Sequence, residues 1–210
     1  MDTRLISNLI DVSLCLVALF ISVRSFDVYV HFRYQRLFVL GLSMALVSIS
    51  AAADFTANYV TIITLHTDWF LYIAQTCGFF FIFLSLLESS NSFLKLIMIL
   101  NVLTVPLLLI VLFLSPVLPG VPSGSLHIVL ECMRWLISFM IFFAYFFAFT
   151  SKATLFNRFM MAAFFLISFG NFMSMMQSFA PNLNAHLLSN LGSITDMVGL
   201  IALIIAVSWN

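Results

Sequence analysis

The sequence predicts an all-α integral membrane protein: one bundle of seven transmembrane helices, N-terminus outside and C-terminus in the cytoplasm. Three observations predict it. Hydrophobic residues make up 63% of the 210 positions and charged residues 8%, where a soluble domain carries roughly 25% charge. Apolar residues gather into seven runs, each close to the roughly 20 residues that cross a hydrocarbon core. The cations sit in alternate connections, as the positive-inside bias requires. No soluble packing hides so much apolar surface, so lipid must be the solvent.

The elements follow in order. The first run, 5–23, comes directly after Met1-Asp2-Thr3-Arg4. A cleavable signal has a basic start and a small-residue cleavage site. This start is neutral and Val23-Arg24-Ser25-Phe26 is a poor site, so the run reads as a retained helix. The charged stretch from Arg24 to Arg36 separates it from the second helix, 37–55. A polar segment from Asp54 to Asp68, with Asn58 and His66, leads to the third, 69–88. Glu88-Ser89-Ser90-Asn91-Ser92 makes a tight turn into the fourth, 93–115. The loop from Ser115 to Gly124 carries Pro116, Pro119 and Pro122 and cannot continue a helix. The fifth helix, 126–150, a short polar link from Ser151 to Asn157, and the sixth, 158–178, come next. Ala180-Pro181-Asn182-Leu183-Asn184 turns the chain into the seventh, 187–208. Seven such helices use the whole length and leave no space for a soluble domain of more than about 40 residues.

Orientation follows from the cations. Arg24, Arg33 and Arg36 lie in the first connection, Lys95 flanks the third, and Lys152 and Arg158 flank the fifth. The intervening connections, 54–68, 116–124 and 181–184, hold no Lys or Arg. Arg4 dissents and Arg134 is intramembrane. The expected location is the plasma (inner) membrane, crossed several times. Net charge is zero and the cations form no basic stripe, which excludes nucleic acid as a partner. Cys15, Cys77 and Cys132 lie inside apolar runs without CxxC spacing and read as small buried hydrophobes.

A faint internal repeat is visible. Gln35-Arg36-Leu37-Phe38 opens the second helix and Asn157-Arg158-Phe159-Met160 the sixth. Gln75-Thr76-Cys77-Gly78 in the third helix matches Asp196-Met197-Val198-Gly199 in the seventh at nearly the same offset. Helices 1–3 and 5–7, about 1–90 and 125–210, would then be parallel copies with helix 4 as a linker, an arrangement transporters use. Chance alignment of apolar helices gives the same pattern.

Ionisable groups at membrane depth cost roughly 2.5–3.5 kcal/mol each on insertion scales, so each needs a reason. Asp196 stands near the middle of the last helix. It reads either as a ligand, ion or proton site or as a structural hydrogen bond. His127, Glu131 and Arg134 fall at i, i+4 and i+7, one face of the fifth helix, and Glu131 and Arg134 can pair. With Asp11, Asp54, His66, Asp68 and His186 they map toward the outer side, as a polar vestibule would. The histidines lack HxxxH or HxxE spacing, so no metal site is expected. Gln75, Asn171 and Gln177 are amides of the kind that hydrogen-bond between helices for about 1 kcal/mol. Ser48-Ile49-Ser50-Ala51-Ala52-Ala53 permits close backbone approach. Phe79-Phe80-Phe81 and Phe142-Phe143-Ala144-Tyr145-Phe146-Phe147 read as lipid-facing or bundle-filling. Met173, Met175 and Met176 read as core or as the lining of an adaptable pocket. Trp69, Trp135 and Trp209 fall near helix ends, as interface anchors do.

Thr67-Asp68-Trp69-Phe70 and Asp196 faintly resemble the third and seventh helices of retinal proteins. That family needs a Schiff-base lysine one turn after the last aspartate. Here that place is Leu200 and the last helix has no lysine, so covalent retinal is excluded and any other cofactor is unknown. Seven-helix sensory regions of bacterial kinases are similar in orientation, an analogy of fold alone.

The expected function is a receptor- or sensor-like bundle. It would bind a small ligand, lipid or apolar cofactor in an outward-facing pocket, through Asp196, Glu131, Arg134, Gln75 and His127. Its partners would be the lipid bilayer and a cytoplasmic or membrane protein that carries the output. A small-solute transporter built on the repeat, or a structural subunit of a membrane complex, are the alternatives. No nucleophile–base pair can be placed, which argues against an enzyme.

Overall fold

A computed structural model describes residues 3–59, 67–87, 90–114, 125–179 and 185–208. These residues form seven α-helices and no strand: α1 Thr3–Phe32, α2 Gln35–Tyr59, α3 Thr67–Leu87, α4 Asn91–Leu114, α5 Ser125–Ser151, α6 Leu155–Phe179 and α7 Ala185–Ser208. All seven are long and apolar enough to cross a membrane, so the protein is a multi-pass integral membrane protein. Two compact units divide the chain, Asp11–Ser123 with α1 to α4, and Gly124–Asn210 with α5 to α7 and Met1–Ile10. The Ser115–Gly124 loop, the tight turn at Glu88-Ser89 and the Ala180–Asn184 turn lie outside the described residues.

In the first unit α1 runs well past its predicted end at residue 23. The charges that seemed to mark a connection pair along the helix instead. Arg24 Nη1 donates to Asp27 Oδ2 at 2.6 Å, and His31 Nδ1 donates to the Asp27 carbonyl at 2.8 Å. Such exposed i,i+3 and i,i+4 pairs add only about 0.3–0.5 kcal/mol each. They are nevertheless compatible with helix, and Ser25 and Val28 between them are buried. The helix stops where Arg33 takes a left-handed φ of 57°. Its N–H then donates to Tyr29 O at 2.7 Å, and Arg33-Tyr34 alone turns the chain into α2.

Close α1–α2 packing follows from small residues. A Cβ on Gly41 would lie 3.2 Å from Ser22 O and 3.2 Å from Ser25 Cβ. Ser48 Oγ donates to Cys15 O at 3.0 Å and lies 3.5 Å from Cys15 Sγ. Cys15 is therefore part of a polar contact and not only a small hydrophobe. Cys15, Cys77 and Cys132 are all free thiols and only partly buried. Phe38 packs edge-on against Phe26 and Tyr29 at the turn end.

Of the membrane spans α2 is the most buried, at 67%, against 17% for α4, so α2 is the core helix of this unit and α4 its lipid-facing edge. Leu46 and Ala53 of α2 pack with Phe70 and Ala74 of α3 and Leu108 of α4, while Val39, Phe81 and Ile97 make a second cluster. Asn101, fully buried on α4, donates through Nδ2 to Ser43 Oγ at 3.3 Å and Val39 O at 3.4 Å. That pair of bonds ties α4 to α2 through a buried side chain. In the Phe79-Phe80-Phe81 run Phe79 and Phe81 are buried and Phe80 is exposed.

In the second unit α5 and α6 meet through a tight polar turn. Lys152 N donates to Ala148 O, closing α5, and Thr154 caps α6 by accepting Asn157 N–H at 3.2 Å. Asn157 Nδ2 reaches back to Lys152 O and Ala148 O at 3.0 and 3.3 Å. Helix α6 therefore starts at Leu155, ahead of the predicted 158. Ile141, Tyr145, Met160, Phe164, Ile167 and Leu203 fill the core, with Tyr145 and Phe164 stacked at 5.8 Å. Phe147 is exposed, so the Phe142–Phe147 run both fills the unit and faces lipid.

Candidate functional site

Charged residues occur in most of the described spans, but the buried ones, Glu131 and Arg134, are on α5, and α7 carries Asp196 with a buried carboxylate oxygen. On α5, His127, Glu131, Arg134 and Ser138 continue one stripe at i, i+4, i+7 and i+11. Glu131 and Arg134 are 4% and 8% exposed, which for a carboxylate and a guanidinium demands partners. His127 Nε2 lies 3.7 Å from Glu131 Oε1, with the histidine side chain 32% exposed and the glutamate nearly covered. The stripe thus runs from an exposed end to a buried middle. At its foot Ser138 Oγ accepts Asn171 Nδ2–H of α6 at 3.3 Å and donates to Trp135 O at 2.8 Å. Asn171 so makes the interhelical bond expected of a buried amide. Trp135 packs on Phe172 at 5.6 Å and on Phe139 at 5.8 Å, within α5–α6 and away from the helix start.

The carboxylate of Asp196 enters from α7. Its position depends on an unusually close α6–α7 contact. Gly192, Asp196 and Gly199 share one face of α7, at i, i+4 and i+7; Ala163, Ile167, Gly170 and Ser174 share one face of α6. A Cβ on Gly199 would come within 2.9 Å of Ala163 O and 2.8 Å of Ile167 Cγ1. A Cβ on Gly192 would come within 3.0 Å of Gly170 O and 3.2 Å of Ser174 Oγ. At Gly170 a Cβ would collide with Asp196 Oδ1 and lie 2.6 Å from its Cγ and 2.7 Å from Gly192 O. The Asp196 side chain thus occupies the space that a side chain at 170 would need.

Asp196 Oδ1 is buried and has no hydrogen-bond partner among the described residues. The charge that acts on this carboxyl is the Arg134 guanidinium. The unit thus brings Arg134 of α5 and Asp196 of α7, distant in sequence, within electrostatic reach of each other. Chemically the set offers a cation, a carboxylate with an open acceptor, a second carboxylate beside an imidazole, and an amide–hydroxyl pair. Among the described residues no three His, Cys, Asp or Glu gather as a metal site.

The other residues singled out from sequence fall elsewhere. Gln75 stands on α3, in the first unit, where it is partly exposed. Met175 is buried, and Met173 and Met176 are partly so. The side chains of Asp11, Asp54, His66, Asp68, Trp69, Gln177, His186 and Trp209 lie outside the described residues. Sequence reasoning passed over Gly170, Gly192 and Ser138. The signal for the glycines was present: Gly192 and Gly199 bracket Asp196 at helical spacing, a pattern that places a small-residue seam beneath the aspartate. Ser138 extends the charged stripe by one more turn, and only its partner on α6 distinguishes it from the other membrane serines.

Compared with known protein families, with curated protein sequences and with solved structures, the chain shows no match.

Proposed function

We propose that this protein is a receptor- or sensor-like membrane bundle whose binding residues are Asp196, Arg134, Glu131 and His127 in the α5–α7 unit. The observation that carries the reading is the buried Glu131 and Arg134 on one α5 stripe, in the same unit as the buried Asp196 Oδ1 of α7. Ionisable groups at membrane depth are costly, and such groups mark ligand, ion or proton sites. A purely structural role would be met by a closed pair, whereas here one carboxylate oxygen stays open. The ligand would be small and polar at one end, oriented by the charges and buried by the aromatic and methionine side chains around them.

The cations at Arg24, Arg33, Arg36, Lys95, Lys152 and Arg158 support an N-terminus outside and a C-terminus in the cytoplasm. The His127 end of the stripe would then face outward. Arg33-Tyr34 and Lys152–Thr154 are short turns, so the output would pass to a partner protein.

A thermal-unfolding screen of the protein in lipid nanodiscs, against small acids, amines and zwitterions, tests the reading. A ligand at a hundredfold its Kd adds about 2.7 kcal/mol, or roughly 5–11 °C for a chain of this size. The shift should vanish in Asp196→Asn and Arg134→Gln. A ligand-induced shift that both variants retain in full would remove these residues from the site.

A second reading, a transporter built on two three-helix copies, has its own support. Cys15 and Ser48 join α1 to α2, Ser138 and Asn171 join α5 to α6, and both pairs are separated by 33 residues. The α2–α3 contact of Gly78 with Ser43 O has its counterpart in the α6–α7 contact of Gly199 with Ala163 O. Solute uptake into proteoliposomes that is unchanged by Asp196→Asn would count against transport through this site.

A further inference from the structure

We propose that the ligand Asp196 takes is a proton, bound at Oδ1 in the α6–α7 seam. The inference rests on the reading of α5–α7 as the functional unit and names what one of its groups binds. Its basis is a mismatch of hydrogen-bonding types. The space over Gly170 Cα is bordered by Asp196 Oδ1 and by Gly192 O, the latter 2.7 Å from the point where a Cβ would sit. Both are acceptors. No donor reaches Oδ1 from any described residue. An ionised carboxylate only accepts, so it leaves Oδ1 buried with no donor and a second acceptor close by; a protonated carboxyl has one O–H to give. Gly192 O, with a second lone pair beyond its helical bond, is the acceptor that proton would meet.

The groups that face Asp196 fit a site that loads and releases. From α5 comes Arg134; Glu131 and His127 follow on the same stripe one and two turns nearer the helix start, and Cys132 lies between Glu131 and Arg134 in sequence. From α6 come Gly170 and Ser174, neither ionisable, and the other titratable residue of α7 is His186, whose side chain lies outside the described residues. An ionised carboxyl interacts with the Arg134 charge, and a protonated one can donate to Gly192 O. The two states therefore use different contacts, one reaching α5 and one staying within α6–α7. In loading, hydronium gives up its proton, an O–H bond forms at Oδ1 and water is released; unloading is the reverse. His127, a third exposed and 3.7 Å from buried Glu131, marks the side from which the proton enters.

Infrared difference spectra of the full chain in phosphatidylcholine nanodiscs, recorded while the pH is stepped, read the carboxyl directly. The expected result is a protonated-carboxyl C=O band that titrates, is lost in Asp196→Asn and survives in Glu131→Gln. In Arg134→Gln the same band should persist to more alkaline pH, reporting proton binding about tenfold tighter. This variant keeps the aspartate and so serves if Asp196→Asn does not fold. No band dependent on Asp196 at any pH, or one unmoved by Arg134→Gln, would overturn the proposal. If that happens while the nanodisc screen still finds a ligand lost in Arg134→Gln, the ligand reading stands and only the proton falls.

Discussion

At the scale of single residues, the most consequential is Gly170. It has no turn to make and no positive φ; it is needed because Asp196 fills the volume its side chain would take. Gly170→Ala should destabilise the protein by about 1–3 kcal/mol, as overpacking does. Asp196→Ala in the same chain should recover part of that loss, because it vacates the contested space. Reversible unfolding of the two single variants and the double variant, read as a coupling energy, measures this. Additive losses would mean that residues 170 and 196 do not meet. Arg33 is the converse case, a non-glycine residue at φ 57°. Arg33→Gly should stabilise the α1–α2 turn by about 0.5–1 kcal/mol, since only glycine adopts that conformation without strain. The same unfolding assay should show a higher midpoint; a lower one would mean that the arginine side chain makes a contact worth more than the strain.

At the scale of helices, the units are held by small residues and a few polar bonds, as expected where lipid offers no hydrophobic drive between helices. Contact distances rank the seams. A methyl group at Gly199 meets Ala163 O at 2.9 Å, whereas one at Gly78 meets Ser43 O at 3.2 Å. Gly199→Ala should therefore cost more than Gly78→Ala, with the first near 1–3 kcal/mol and the second under about 1 kcal/mol. The reverse order would contradict the α6–α7 geometry. For α4, Asn101 supplies its buried polar contact to α2. Asn101→Ala should cost about 0.6–1.7 kcal/mol, the range of interhelical hydrogen bonds in membranes. Loss of α4 protection in hydrogen exchange, with α5–α7 unchanged, would locate the effect.

At the scale of the whole molecule, the testable matter is topology. Six of the eight cations lie on one side under the proposed orientation. Reporter fusions after Asn210 should report cytoplasm, and fusions within 116–124 should report the outside. The opposite pattern would invert the assignment of His127 to the outer end of its stripe.

Helix number and type were legible without coordinates, because they follow from counts along the chain: apolar runs of spanning length, broken by Pro, Gly and charge. Their ends were less legible. Arg24, Asp27 and His31 look like a connection in one dimension and are a laced helix in three, since i,i+3 and i,i+4 pairing is invisible to composition. The α5 stripe could be read from spacing within one helix, and His127, Glu131 and Arg134 were named on that ground. That Arg134 acts on Asp196 could not be read, because the two belong to helices whose mutual rotation no local pattern fixes. The sequence alone thus determined that hydrocarbon is the solvent and how many times the chain crosses it, both sums over local composition. Only the tertiary structure decided which glycines hold α6 against α7, and that a carboxylate oxygen is sealed there beside a carbonyl. Those facts depend on distances between side chains far apart in sequence.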